Sequence, residues 1–555
     1  MKNTVLKSIV ILASTAVLAT SCIKETFPNG STATSTQVAE SPTALQAMLN
    51  SIPAQMTSMN TAGYYSNYNG AQYDFGIGAI HLIYDHMTED MATQGDEPGY
   101  DWLAGSWARC QAMGKDYTNC SYFWDCYYMW IKTCNDIISS VLSAGDPTEA
   151  TAPLIAKAYA YRAAFYLDLA RLYLPKENKY IAIPDNIKGL TVPIISEQTT
   201  EKDANNNPRA TFADMYAFIL SDLENATKYI DTKDNGYLSP SIGMVNALYA
   251  KAYLEMGAEG DAGAYAKAIE YADKVINSGV YSPLTQDQWE SPTTGFNLGS
   301  ATKAWIWGAA QSAENINNLV AFIPHICAEA SWGYIPGYSE VGVNKALYDS
   351  IDDADFRKHS WLDPARLDYY NYRLNDGVNF LAGTGNYSAP AHDYVALKFR
   401  PAQGVTDDNT VGNATEIPLM RIEDMYFVKA EAQAQTDLAA AKATLNEIVN
   451  TRYVGGTYSC IATSKEEFYT ELLRQKRIEF WGEGVVMFDY KRLNIGFTRG
   501  YEGTNHAAVH CFNCEGRSPQ WNMVITRAET QSNKGIGDDF NNPDPSKFYG
   551  ELWTK

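Results

Sequence analysis

The chain has 555 residues, with 43 Lys and Arg against 64 Asp and Glu, and a formal net charge of −21. A chain this acidic would repel a phosphate backbone, so its composition argues against nucleic-acid binding. It also contains 38 Tyr and 12 Trp, whose rings suit both the core of a large helical protein and the stacking of sugars.

Residues 1–21 predict an export signal of the lipoprotein type. Lys2 and Lys7 form a basic start, and the apolar run after them is shorter than the roughly 20 residues that span a bilayer. The run ends in LATSC, which resembles a lipobox although Ala19 stands where Leu is commoner. We therefore expect cleavage before Cys22 and lipidation of its thiol. Ordinary secretion, with a spare thiol at Cys22, is the alternative.

Residues 22–40 are predicted to form a flexible, lipidated tether, because they include the run FPNGSTATSTQ. No second linker of this composition follows. We therefore predict that residues 41–555 form one large, mostly helical domain.

Helices are predicted wherever apolar residues recur at three- and four-residue spacing. The stretches with this pattern are residues 154–174, 212–230, 241–257, 265–276, 422–435 and 438–453. Alanines at the expected crossing positions, with Tyr and Leu between them, are typical of tetratricopeptide-like helix pairs. A further helix is predicted after Ser464, where Glu467 offers a capping box.

Irregular segments rich in Gly, Asn, Asp, Trp and Tyr interrupt these helices, and they have no sustained helical period. They lie near residues 60–110 and 280–400. Long insertions in a rigid helical body are where binding residues tend to lie, so we predict binding insertions in both regions.

The cysteines leave three interpretations open. Cys511 and Cys514 lie close to His506 and His510, which invites a metal site, but structural zinc usually takes ligand pairs from two separate segments. Export favours a local disulfide between Cys511 and Cys514. Two thiols that form no bond with each other are the third interpretation.

The run RQKRIEFWGEGVVMFDYKRL, residues 474–493, places Glu483 and Asp489 among basic residues. Such a pair could act as the acid and base of a glycoside hydrolase. However, acids paired with neighbouring bases have depressed pKa values and make poor general acids. We therefore interpret the run as architecture, with its aromatic residues anchored in the core.

Other catalytic and metal-binding patterns are absent from the sequence. There is no GxSxG, HExxH or GxxxxGK[ST], and we expect no cofactor and no tightly held metal. The acidic turn DDNT at residues 407–410 falls short of a calcium-binding loop, which leaves only a surface calcium ion open.

Several motifs, taken in order, carry a family resemblance. They are LATSC, WDCYYMWIKTCNDII, AKAYAYRAAFYLDLARLY, RIEDMYFVKAEAQAQ, RQKRIEFWGEGVVMFDYKRL and ITRAETQSN. Together they resemble the SusD/RagB family of outer-membrane nutrient-binding lipoproteins of Bacteroidetes. The chain departs from the family's charged motif at Gln475, where an acid is usual, which puts one expected ion pair in doubt.

The resemblance implies a mainly α fold. Four tetratricopeptide-like helix pairs would form a scaffold, with irregular, loop-rich insertions packed on one side. It also implies a protein that is not an enzyme. Held in the cell outer membrane by its lipid and exposed at the surface, it would capture oligosaccharides and deliver them to a SusC-like TonB-dependent transporter. The surface-export signal is only partly matched, by Lys24-Glu25.

Candidate ligand-binding residues are aromatic rings in the insertions, because sugars stack their C–H faces on Trp and Tyr while polar groups bind their hydroxyls. Family binding sites resemble this arrangement. The leading candidates are Trp102, Trp332 and Tyr334, supported by Tyr100, Asp96 and Tyr338; Tyr64, Tyr65 and Tyr68 are a third group. Ordinary packing of each ring is the alternative.

Three other functions remain open at this stage. The same lid could carry peptide cargo, it could serve the transporter only as a scaffold, or the chain could be a glycoside hydrolase.

Overall fold

The computed structural model describes residues 41–58, 71–94, 103, 105–291, 293, 296–314, 319–335, 341–370, 381–387, 390–546, 548 and 551–552. The predicted signal peptide, Cys22 and the tether lie outside these residues. The predicted division of the chain into signal, tether and one domain remains a prediction.

The α-helices of the described part are α1 Pro42–Thr57, α2 Ile77–His86, α3 Ser106–Ala108, α4 Thr118–Ser143, α5 Ala152–Tyr173, α6 Glu201–Ala204, α7 Phe212–Tyr229, α8 Ile242–Ala258, α9 Ala264–Ile276, α10 Gln286–Glu290, α11 Phe322–Ile326, α12 Lys345–Asp349, α13 Asn409–Gly412, α14 Ile422–Gln433, α15 Leu438–Asn450, α16 Lys465–Glu479, α17 Met487–Leu493 and α18 Arg527–Ser532. Short 3₁₀ helices lie at Asp185–Ile187, Gly299–Ala301, Phe356–Ser360, Pro364–Tyr370, Ala402–Gly404, Ala508–His510, Pro519–Trp521 and Asp538–Phe540.

The strands are short. They are β1 Met91–Thr93, β2 Trp305–Ala310, β3 Val341–Val343, β4 Glu416–Arg421, β5 Phe497–Thr498, β6 Phe512–Cys514 and β7 Glu551–Leu552. β1 pairs with β3, β2 with β4, and β6 with both β5 and β7, all antiparallel. The chain is therefore mainly α, as predicted, with strands that mostly tie distant loops together.

The long helices pack one against the next, in the order α4, α5, α7, α8, α9, α14, α15, α16. Eight helices in this order are the number that four tetratricopeptide-like pairs require, with α4 and α16 at the two ends. The predicted partners pack together: α5 with α7, α8 with α9, and α14 with α15. Small residues allow this close approach. A Cβ on Gly257 of α8, for example, would lie 2.7 Å from the Tyr265 ring of α9.

The helix boundaries follow local chemistry. Thr211, Ser241 and Ser464 each accept a hydrogen bond from a backbone N–H of the first turn that follows them, which satisfies a group that the helix cannot. The Ser464 half of the predicted capping box is confirmed, because the Ser464 side chain accepts the Glu467 N–H. The Glu467 carboxylate accepts the N–H of Thr463, at 2.7 Å. Among the described residues, no helix is both long and apolar enough to cross a membrane.

A balanced group of buried charges, the central ion cluster, joins the scaffold to the insertions. Its members are Arg357, Lys398, Arg421 and Arg452 with Asp355, Glu423, Glu479 and Glu483. Their side chains are at most 2% exposed. Buried charges are tolerated only when they are paired in this way.

The run at residues 474–493 provides part of this cluster. Glu483 contacts Lys398 Nζ at 2.6 Å and Arg421 Nε at 2.8 Å, and Asp489 contacts Lys476 Nζ at 2.6 Å. Phe480, Trp481 and Phe488 of the same run are buried. These contacts support the interpretation of the run as architecture.

Gln475 replaces the expected acid with a neutral hydrogen bond. Its Oε1 accepts from Arg357 Nη2 at 2.6 Å. The charge of Arg357 is balanced by Asp355 Oδ2, 2.6 Å away, and by Glu479 Oε2, 3.1 Å away. The neutral side chain at position 475 therefore leaves Arg357 with negative partners.

The interpretation of Cys511 and Cys514 as a disulfide is wrong in this structure, because both are thiols. They donate to the carbonyl oxygens of His506 and Gly516, at 3.3 and 3.6 Å. Cys514 ends β6 and Cys511 directly precedes it. Three residues along extended backbone span roughly 10 Å, more than the usual Cα–Cα span of a disulfide, about 4.4–6.8 Å.

The metal interpretation has no geometric support either. Within the described ranges, no group of three or more His, Cys, Asp or Glu side chains is arranged to hold a metal ion. A ring nitrogen of His506 instead lies 3.1 Å from the Glu89 carbonyl oxygen. In the acidic turn at residues 407–410, Asp408 caps α13 by accepting the Thr410 N–H at 2.9 Å.

We expect the eight described cysteines to resist thiol reagents in the folded protein. All eight are buried, and burial raises the pKa of Cys327 to about 12 and that of Cys514 to about 11. Thiolate, the reactive form, is therefore scarce near neutral pH. Ellman's reagent should react slowly with these thiols in the native protein and rapidly in denaturant. Rapid reaction of native protein would contradict this structure.

Candidate functional site

The candidate site is centred on Trp332, in an irregular segment that follows α11. The Ser331 N–H donates to the Thr406 carbonyl at 2.9 Å, and Trp332 Nε1 donates to Asn413 Oδ1 at 3.0 Å. The segment is thereby fixed against residues 405–413. Trp332 itself is only partly buried.

A glycine sets the position of this ring. A Cβ on Gly412 would lie 2.3 Å from the Trp332 ring, so only glycine permits the observed contact. One part of the indole rests on α13 while another stays accessible. A partly exposed, held ring of this kind suits stacking against a ligand.

Tyr334, a predicted ligand-binding residue, is buried in the structure. It is 4% exposed, its hydroxyl donates to Gln72 Oε1, and its ring centroid lies 4.8 Å from that of His325. Its ring thus packs inward and offers no open face. Sequence composition could not separate Tyr334 from Trp332, because the direction of each ring depends on how the loop folds.

The other predicted binding residues, Asp96, Tyr100, Trp102 and Tyr338, lie outside the described residues. So do Tyr64, Tyr65 and Tyr68. They remain predictions. By contrast, Trp305 and Trp307, which alternate along the sequence as in a strand, lie in β2 and are buried.

A cavity of about 490 Å³, the Arg400 cavity, lies next to this segment along the chain. Gly412 and Asn413, which contact Trp332, are followed directly by three residues of its lining, Ala414 to Glu416. Several small aliphatic residues line it together with the polar residues Thr293, Asn297, Gln311, Arg400, Gln403, Thr415 and Glu416. The volume falls within the range of small-molecule sites, roughly 300–1,000 Å³.

The β2–β4 pairing assembles this lining. Ala310 pairs with Glu416, and the Gln311 N–H donates to the Thr415 carbonyl at 2.8 Å. Asn297 fixes the third segment, since its Oδ1 accepts the Arg400 N–H at 2.8 Å and its Nδ2 donates to the Arg400 carbonyl at 2.9 Å.

The cavity lining has more hydrogen-bond donors than acceptors to match them. Arg400 Nη2 lies 3.3 Å from Glu329 Oε1, but Arg400 Nε and Nη1 and Gln311 Nε2 find no partner among the described residues. Buried donors left in this state cost about 1–3 kcal/mol each. A ligand that supplies oxygen acceptors would recover part of that cost after a small rotation of these side chains.

Glu416 adds a negative charge, and each of its carboxylate oxygens already accepts one hydrogen bond. Its Oε1 accepts from Tyr237 Oη at 2.8 Å and its Oε2 from the Gly299 N–H at 2.5 Å. With Glu329 balancing Arg400, the local charge is slightly negative. The cavity therefore suits neutral oxygen acceptors better than anionic ones.

The lining also contains strained backbone. Gln403 has φ +59°, a left-handed conformation that few residues other than glycine adopt, and such strain is concentrated at functional positions. Neither Gln403 nor Arg400 and Gln311 belongs to a recognisable motif. The alternation along β2 indicates a strand, but not which partner strand brings these residues together.

Comparison with known proteins gives a consistent result. The SusD family model matches residues 332–547, and a second model, described as "Starch-binding associating with outer membrane", matches residues 31–254. SusD-like protein P2 of Formosa agariphila is 23% identical over 403 residues, which cover 69% of this chain and 74% of that protein.

Solved structures share the fold. A SusD-like carbohydrate-binding protein from Bacteroides vulgatus superposes with a TM-score of 0.68 at 21% identity, over 90% of this chain and 98% of its own. A SusD superfamily protein from Bacteroides thetaiotaomicron gives 0.67 at 19% identity, over 91% and 100%. A laminarin-binding SusD-like protein gives 0.60 at 18% identity, over 90% and 99%.

The two family matches together cover the central ion cluster and the scaffold helices apart from α9 and the end of α8, and the solved relatives share nearly the whole described fold. The chain belongs to the SusD/RagB family.

Proposed function

We propose that this protein is a non-catalytic, lipid-anchored glycan-binding protein of the outer-membrane surface. It captures oligosaccharides and delivers them to a partner TonB-dependent transporter. The observation that carries the proposal is the partly exposed Trp332, bonded to Asn413 directly before three lining residues of the donor-rich Arg400 cavity. One face stacks sugar rings, and the cavity takes up oxygen atoms.

The family supports this role. One matching family model is described as starch-binding and associated with the outer membrane, and a relative of the same fold binds laminarin. The LATSC sequence at Cys22 supports the lipid anchor. Trp102, Tyr100, Asp96 and Tyr338 are proposed to complete the ligand contacts.

The arrangement of acids supports a non-catalytic role. Glu483 and Asp489, the candidates for acid and base, are buried in ion pairs, where a substrate could not reach them. Product formation from a glycan by the purified protein would revive the hydrolase alternative.

A binding screen on the chain from Lys24 onward tests the proposal. Neutral oligosaccharides, uronic-acid-containing oligosaccharides and peptides should be compared by calorimetry. We expect binding of neutral oligosaccharides, with acidic ones at least several-fold weaker because Glu416 and Glu329 add negative charge. Binding of peptides alone would favour peptide cargo. Capture of a transporter with no ligand binding would favour a scaffold.

Arg400→Lys should weaken glycan binding by about tenfold, because a lysine keeps the charge beside Glu329 but lacks the guanidinium N–H groups, each worth about 1 kcal/mol or somewhat more. Calorimetric titration with the best glycan of the screen measures this. Arg474→Lys is the matched control, since Arg474 pairs with Glu471 on α16 and does not line the cavity. If Arg400→Lys and wild type bind the glycan with equal affinity, the Arg400 cavity is not part of the binding site.

A further inference from the structure

A second, smaller cavity lies inside the molecule, remote in sequence from the Trp332 segment. Its volume is about 40 Å³. It is partly open and is lined by α2, α5, α8, β2, β4, α17 and the turn before α17. That turn supplies Glu483 and Gly484. The cavity therefore lies where the scaffold helices meet the charged run at residues 474–493.

The lining combines buried apolar residues with charged ones. Phe165, Leu167 and Leu248 are at most 2% exposed. Between these residues lie three charged side chains that are partly exposed: Asp168 is 19% exposed, Lys251 14% and Arg171 10%.

Each charged group already has a counter-charge. Asp168 pairs with Arg171, Lys251 Nζ lies 2.9 Å from Asp424 Oδ2, and Glu483 is paired within the central ion cluster. The site is thus close to electrically neutral, so a bound ion would meet no excess of opposite charge.

Hydrogen-bonding capacity is nevertheless left over. Arg171 Nε and His81 Nδ1 belong to lining residues and have no partner in the described part of the chain. Asp168 Oδ2 accepts from Tyr127 Oη at 2.9 Å, and Tyr127 Oη lies 3.1 Å from Tyr84 Oη. The cavity is polar and close to neutral, and the hydrogen-bond chain from Tyr84 through Tyr127 ends at its lining residue Asp168. Such a cavity suits a small neutral ligand that both donates and accepts hydrogen bonds.

We propose that this cavity is a binding site for about three ordered water molecules, one for each 10–15 Å³ of its volume. The waters link Asp168 and Arg171 of α5 to Lys251 of α8. They hydrate charges that the helices alone leave partly unsolvated, and so complete the junction between scaffold and insertions.

A crystal structure of the mature chain tests the site directly. We expect water peaks within hydrogen-bond distance of Asp168 and Lys251. Xenon density in this cavity after pressurisation, which marks a dry apolar space, would overturn the proposal. So would a single peak with the anomalous signal of a halide ion.

Water relaxation dispersion gives an independent test in solution. Ala164 lines the cavity, so Ala164→Leu should displace the cluster and remove the signal of about three long-lived waters. Ala262→Leu, at an exposed position outside the cavity, should remove none. Equal signals from both variants and wild type would overturn the proposal, and if Ala164→Leu fails to fold, the crystal result decides.

Discussion

Replacing Glu479 with Gln is expected to lower the free energy of unfolding by about 3–5 kcal/mol, the usual cost of breaking a buried ion pair from one side. Glu479 Oε1 lies 3.0 Å from Arg421 and 2.9 Å from Arg452. Its Oε2 lies 3.1 Å from Arg357. Removing this charge leaves the central ion cluster with one positive charge in excess. The substituted amide would also turn N–H groups toward arginine donors.

The loss in free energy of unfolding is measured from the midpoints of urea denaturation, with one common slope of free energy against urea concentration. Glu270→Gln is the matched control. Glu270 also contacts two bases, Lys267 and Lys274, at 2.8 and 2.9 Å, but on the exposed surface of α9. Exposed ion pairs contribute little to stability, so the urea midpoint of Glu270→Gln should equal that of wild type. Equal midpoints for Glu479→Gln and wild type would mean that the cluster does not stabilise the fold.

The pH dependence of this difference provides a second measurement. Burial alone would raise the pKa of Glu479, but the charges of Arg452, Arg421 and Arg357 outweigh it and hold the pKa well below its ordinary value. A carboxyl with a depressed folded-state pKa stabilises above its unfolded pKa and loses that contribution as pH falls. The gap between wild type and Glu479→Gln should therefore narrow below about pH 4.5, by about 1.4 kcal/mol per pH unit.

The scaffold could be predicted from the sequence because its signals are local. The spacing of Ala and aromatic residues in α5, α8 and α14 fixes both a helix and the face that packs, and Ser464 marks a start through one short hydrogen bond. The central ion cluster was predictable only in part. Its acids in residues 474–493 stand out, but Arg357 and Lys398 come from loops whose approach depends on tertiary packing.

The candidate site could be predicted as a region and not as a set of side chains. Loop composition indicated the segment that contains Trp332, yet it indicated Tyr334 equally, and that ring is buried. Arg400 and Gln311 carry no signal in the sequence. Gln311 enters the lining because β2 pairs with β4 across more than a hundred residues, and Arg400 because Asn297 holds its backbone. Both contacts are properties of the folded chain.

Trp332→Ala is expected to weaken binding of the cognate oligosaccharide by about tenfold or more, since loss of a stacking tryptophan typically costs at least 1.4 kcal/mol, a factor of ten. Tyr334→Phe is the matched control from the same segment. It keeps the ring against His325 and loses only the hydroxyl bonded to Gln72. Its affinity should stay within about twofold of wild type, because hydrogen bonds away from the ligand do not enter the binding free energy.

Gly412→Ala tests the position of the tryptophan without removing it. The new Cβ would lie 2.3 Å from the indole, far inside van der Waals contact, so the ring must move away from α13. If the observed position of Trp332 matters for binding, Gly412→Ala should lower the affinity to a value between those of wild type and Trp332→Ala. Calorimetry on the variants with one neutral oligosaccharide gives the order. An unchanged affinity in both Trp332→Ala and Gly412→Ala would move the stacking site elsewhere, first to the predicted Trp102.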